Sequence, residues 1–158
     1  MTHHQLPTVG REWMKQCVHC FLIRNPHEVL ASYAKAREQV TLQDLGFVQQ
    51  AKIYDYVCND LGQNAPVIDS NDVLRDPKAT LGRLCNEIGI EFSADMLKWK
   101  PGIRDTDGVW AKHWYASVEH SSGFMPYRQR SPDYPEELRP IAAQAEPYYQ
   151  KLYQARLR

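Results

Sequence analysis

The chain has 158 residues, enough for one domain with a buried core. Its 19 Lys and Arg balance its 19 Asp and Glu, so no general field draws it to nucleic acid or an anionic membrane, and any anion site must be local. No apolar run approaches the roughly 20 residues that span a bilayer, the N-terminus lacks the basic-then-apolar layout of a signal peptide, and four cysteines without regular spacing suggest reduced thiols in a cytoplasmic protein.

In chain order, the first candidate is Cys17-Val18-His19-Cys20 with His3 and His4 upstream, a composition that could supply a tetrahedral zinc. Only one C-x-x-C pair exists, however, and alternation along a strand sends Cys17 and Cys20 to opposite faces. The expectation is no metal and buried, inert cysteines. Val18, Cys20, Phe21, Leu22 and Ile23 form an apolar run that stops at Arg24-Asn25-Pro26, which reads as a buried strand. Pro26 suits the first turn of a helix, where its missing N–H costs nothing. Val29, Leu30 and Tyr33 then share a helical face, and Ser32 lies eight residues beyond Arg24. The unit is strand, tight turn and helix with an arginine where the strand ends. Open α/β sheets bind ligands at that edge, and a guanidinium beside a helix N-terminus favours an anion.

Lys35–Val40 is a polar connection. Thr41-Leu42-Gln43-Asp44 has the form of a capping box, and the spacing of Leu42, Leu45, Val48, Tyr54, Val57 and Leu61 predicts one long amphipathic helix over 42–61, ended by Gly62. Pro66-Val67-Ile68-Asp69 reads as a second strand. Asp76-Pro77 starts a helix with apolar face Leu81, Leu84, Cys85 and Ile88, and Gly89 ends it. This order predicts a parallel crossover and an α/β protein. A polar loop over Lys100–Gly108, a helical region near 109–121 and a loop over Gly123–Pro135 follow. The last element is an amphipathic helix over about 138–157, kinked at Pro147. No repeat or linker divides the chain, so residues 1–158 read as a single domain.

Several of these segments resemble the sulfotransferases that use PAPS (3′-phosphoadenosine 5′-phosphosulfate). In that family an arginine closes a strand and a serine eight residues later joins it on the 3′-phosphate; the matching positions are Arg24 and Ser32. Val67 to Pro77 resembles the family's "YEDLLxDP", with Asp72, Leu74, Asp76 and Pro77 matching and Ser70 standing where the family has a tyrosine beside the adenine. Glu87-Ile88-Gly89-Ile90 is similar to "FLGI". Gly108-Val109-Trp110-Ala111-Lys112-His113-Trp114 resembles the "KGxWKNHF" loop that closes over the 3′-phosphate. Gly108 and Trp110 match, Asp107 replaces the lysine, and Arg104 or Lys112 is left to supply the charge. His3-His4-Gln5-Leu6-Pro7 resembles "KxHLP", whose histidine is the catalytic base, so His4 or His3 takes that role by resemblance.

The resemblance implies a three-layer, P-loop-like parallel α/β sheet flanked by helices, incomplete at its N-terminus and helix-rich in its C-terminal half. It starts at Met1 in mid-pattern, and no Gly-rich turn or G-x-x-x-x-G-K-[ST] follows a strand. The chain is therefore expected to be the C-terminal portion of the family domain. The implied function is transfer of a sulfuryl group from PAPS to a hydroxyl or amine of a small-molecule acceptor, without metal, with this truncated chain inactive by itself. The alternative is a non-catalytic nucleotide- or partner-binding module. A P-loop kinase fragment fits less well, given the Arg24–Ser32 spacing and the lack of an arginine-rich lid. The partner expectations are PAPS or adenosine 3′,5′-bisphosphate, no nucleic acid, no membrane, and a homo-oligomer formed through an exposed sheet edge.

Overall fold

The computed structural model describes residues 5, 8–37, 39–109, 116–129 and 131–158. Two short strands, β1 (Phe21–Ile23) and β2 (Val67–Asp69), pair in parallel with Phe21 opposite Val67 and Ile23 opposite Asp69. The intervening chain holds α1 (Pro26–Ala34), α2 (Leu42–Leu45) and α3 (Phe47–Asp55), the last running into a π-helical turn over Tyr56–Asp60. After β2 come α4 (Ser70–Arg75), α5 (Pro77–Ile88), α6 (Ala116–Glu119) and α7 (Arg139–Gln154). Beyond α7, Arg156 forms a parallel bridge with Val67, and the Leu157 N–H donates to the Val67 carbonyl at 2.8 Å. The C-terminus thus adds one rung on the side of β2 away from β1.

Local chemistry sets most helix ends. Asn25 Oδ1 accepts from the His27 N–H at 2.9 Å, and Pro26 occupies the first turn of α1. Thr41 and Asp44 exchange side-chain and backbone hydrogen bonds in a complete capping box. Asp76 caps α5 by accepting from the Ala79 N–H at 2.9 Å, and Gly89 ends it at φ 73°. The core gathers where α7 lies across α3 and α1. Ala142, Ala145, Tyr149 and Leu152 form its inner face, against Leu30, Ile53, Val57, Ile23 and Val67. Ala142 and Ala145 carry so little side chain that the helices can approach closely.

The expected three-layer parallel sheet is not what forms. The fold is mostly helical, with a two-stranded open sheet among the described residues. Phe21 and Ile23 point inward while Leu22 is 58% exposed, so β1 has one buried face rather than two. Val18 is 72% exposed and Cys20 is exposed as well, so the apolar run contributes only its last residues to the core. Helices supply the remaining burial. The expectation of buried cysteines also fails: Cys17 and Cys20 are exposed, Cys58 is half-buried, and Cys85 alone is buried. Cys17 follows a 3-10 turn over Glu12–Gln16, and Cys20 shares the outward side of Leu22.

The long helix expected over 42–61 is broken at Gly46, which adopts φ 76° between α2 and α3. Only a glycine takes that conformation freely. α7 spans Arg139–Gln154 and continues through the exposed Pro147. Of the helix expected near 109–121, residues 116–119 are helical, while 110–115 lie outside the described residues. Among the described residues no helix is long and apolar enough to cross a membrane, and no group of three or more His, Cys, Asp or Glu gathers as metal ligands would.

Candidate functional site

The carboxyl ends of β1 and β2 lie side by side, and the residues just beyond them build the site. Arg24 follows β1. Its Nε donates to Glu28 Oε2 at 2.9 Å, one helical turn on, and its side chain is 36% exposed against 13% for Glu28. The other Glu28 oxygen accepts from Asn71 Nδ2 at 3.4 Å, tying the start of α1 to α4. Among the described residues the two terminal nitrogens of Arg24 have no hydrogen-bond partner.

The Arg24–Glu28 pair lines two adjoining spaces. One is a groove of about 230 Å³ along α1, lined by Arg24, Ser32 and Lys35 and faced by Ser131, Pro132 and Asp133. Residues 28, 32 and 35 fall at i, i+4 and i+7, so one stripe of the helix presents all three to the groove. The other is a cavity of about 370 Å³ bounded by Leu22, Val73, Leu74, Phe124, Met125 and Pro126, with Ser70, Asn71 and Arg128 as further polar contributors. Ser70 Oγ is buried and has no hydrogen-bond partner among the described residues. A buried hydroxyl left unmatched in the wall of a cavity is chemically suited to meet a ligand.

Asp69, the last residue of β2, anchors this arrangement. It is 2% exposed, caps α4 by accepting from the Asn71 N–H at 2.8 Å, and accepts from the Tyr149 hydroxyl at 3.0 Å. Burial holds its carboxyl above the ordinary carboxylate range, against the opposing pull of those two donors.

The structure therefore brings Arg24 and Ser32 into one groove. Arg104 lines a different, larger space of about 450 Å³, with Lys98, Trp99, Lys100 and Asp107. Its backbone N–H donates to Asp107 Oδ2 at 2.9 Å, so the acidic residue closes its own turn. Trp99, in that wall, donates to Ser121 Oγ at 2.9 Å and meets Phe124 of the neighbouring cavity edge to face, with ring centroids 5.4 Å apart. Gly108 is exposed and borders none of these three spaces. His3, His4, Trp110 and Lys112 lie outside the described residues. Sequence reasoning passed over Glu28 and Lys35, although both stand at helical spacing from Arg24 and Ser32. It also passed over Arg128, which no local pattern marks.

A family profile described as the sulfotransferase domain matches residues 1–156. Two curated relatives from Arabidopsis thaliana, branched-chain-amino-acid aminotransferase-like protein 1 and protein 2, are 43% and 39% identical over 113 residues. That stretch is 72% of this chain but only 20% of either relative, so the chain spans about a fifth of their length. Among solved structures, the sulfotransferase domain from the curacin biosynthetic pathway aligns with a TM-score of 0.46 and 19% identity, over 80% of this chain and 52% of that one.

Proposed function

The chain belongs to the sulfotransferase-domain family, and from that premise we propose that it is a non-catalytic nucleotide-binding module that holds the adenosine 3′,5′-bisphosphate part of PAPS. The observation that carries this reading is the pair of adjoining spaces with Arg24 in both walls. The groove is the place for a phosphate: Arg24, Ser32 and Lys35 line it and supply donors and positive charge, set against the carboxylates of Glu28 and Asp133 in the same lining. A flat base fits the apolar cavity beside it, where Ser70 Oγ offers the one hydrogen bond it has to give.

Two features favour binding over transfer. Among the described residues no Gly-rich turn follows a strand: β1 leads into Arg24-Asn25-Pro26 and β2 into Ser70-Asn71. Neither turn offers the backbone N–H cradle that would stabilise a transferring phosphosulfate. In the Arabidopsis relatives, moreover, the matched stretch is a fifth of a longer polypeptide, as befits a module.

A second reading, sulfuryl transfer to a small-molecule hydroxyl or amine, is favoured by the extent of the family match over residues 1–156. In it His4 or His3 is the base, and Arg104, Gly108, Trp110 and Lys112 add to the nucleotide site. Titration with PAPS, paired with an assay for adenosine 3′,5′-bisphosphate release in the presence of hydroxyl and amine acceptors, separates the two. Binding without release supports the module, release establishes the transferase, and no binding by folded protein rejects both.

A further inference from the structure

Arg24 reaches its groove with one edge already occupied. Arginine carries five N–H donors in a planar fork, and Glu28 takes the Nε donor at 2.9 Å. That contact leaves the four donors on the terminal nitrogens available and fixes the plane in which they lie. Glu28 is itself held from two directions, by its place in the first turn of α1 and by Asn71 Nδ2 at 3.4 Å on α4. It is also the less exposed partner, at 13% against 36%. A carboxylate beside an anion site repels the ligand through space. Its presence there is accounted for if what it gives in orientation outweighs that repulsion.

We propose that Glu28 is a positioning residue for anion recognition: it clamps the Nε edge of Arg24 so that the terminal edge meets a phosphate with two parallel hydrogen bonds. This rests on the nucleotide-binding reading, and it adds that the specificity for a 3′-phosphate is set through a residue that never touches it. A freely rotating guanidinium would act as a diffuse charge, whereas an oriented one reads geometry. The opposite role, with Glu28 acting as an internal competitor that masks Arg24, predicts effects of opposite sign.

The test uses wild-type protein, Glu28→Gln and Glu28→Ala, with two readouts. The first is discrimination, the Kd for 5′-AMP divided by the Kd for adenosine 3′,5′-bisphosphate. Glu28→Gln keeps an oxygen acceptor for Nε and is expected to stay within about threefold of wild type. Glu28→Ala is expected to lose about tenfold, the scale of one hydrogen bond to a charged group. Unchanged or improved discrimination in Glu28→Ala overturns the inference and makes Glu28 a competitor. The second readout is the Arg24 Nε–H resonance in nucleotide-free protein. It should be resolved and slow to exchange in wild type and Glu28→Gln, and lost in Glu28→Ala. If wild type binds neither nucleotide, the nucleotide reading falls and this resonance still decides the clamp: its absence from wild type overturns it, and its selective loss in Glu28→Ala supports it.

Discussion

Tyr149, in the second half of α7, donates its hydroxyl to the carboxylate of Asp69 at 3.0 Å, joining residues 80 positions apart. Through this bond the C-terminal helix reaches the site. Asp69 caps α4, α4 carries the unpartnered Ser70 hydroxyl and Asn71, and Asn71 holds Glu28 against Arg24. The phenol of Tyr149 is itself pushed well above its ordinary range, by burial first and by the Asp69 charge second.

Tyr149→Phe keeps the ring in the core but leaves a buried carboxylate one donor short. Urea unfolding is expected to show a loss of about 1–3 kcal/mol. A loss within error of zero would mean that Asp69 finds an equivalent partner without it.

The raised Asp69 carboxyl also predicts a direction with pH. A group that binds its proton more tightly when folded gives stability that is fully present below its unfolded value and is lost as pH rises through its folded value. The stability of wild type relative to Asp69→Asn should therefore decline as pH climbs from the ordinary carboxylate range toward neutrality. A difference that rises over that window would contradict the assignment.

Gly46 sits at φ 76° between α2 and α3. Gly46→Ala is expected to lower stability by about 1 kcal/mol, because a β-carbon disfavours the left-handed region. Thermal unfolding measures this directly, and an unchanged midpoint would show that the break between the helices can relocate.

Arg156 latches the C-terminus. Its Nε pairs with Asp72 at 2.9 Å, its terminal nitrogen donates to the Tyr153 carbonyl at 2.8 Å, and its guanidinium lies 3.6 Å from the centroid of the Tyr153 ring. Arg156→Ala should speed hydrogen exchange at the Leu157 amide, which bonds to Val67, and lower stability by about 1–2 kcal/mol. Asp72 keeps its second partner, Arg75 at 2.9 Å, which bounds the loss.

Helix boundaries were legible in the sequence where a side chain writes them. The Thr41 box, the Asp76-Pro77 start and the Gly89 stop each follow from local hydrogen bonding, and each stands in the structure. The Gly46 break was hidden because the apolar positions on either side keep a roughly helical spacing. The sheet was overestimated because an apolar run carries no information about which side of a lone strand pair stays wet, as the exposure of Val18, Cys20 and Leu22 shows. That Arg24 and Ser32 line one groove was legible because only a short stretch of continuous chain, from the end of β1 into α1, separates them. Arg128 and Phe124 were not, since their place beside Ser70 depends on a loop returning from far along the chain.

The most direct test of the account is calorimetric titration of the folded chain with adenosine 3′,5′-bisphosphate and with 5′-AMP, repeated on Arg24→Ala. The account predicts that wild type favours the bisphosphate by tenfold or more, about the effect of one charge-assisted contact, and that Arg24→Ala removes the preference. Equal affinity for the two nucleotides, or a preference that survives Arg24→Ala, would contradict it.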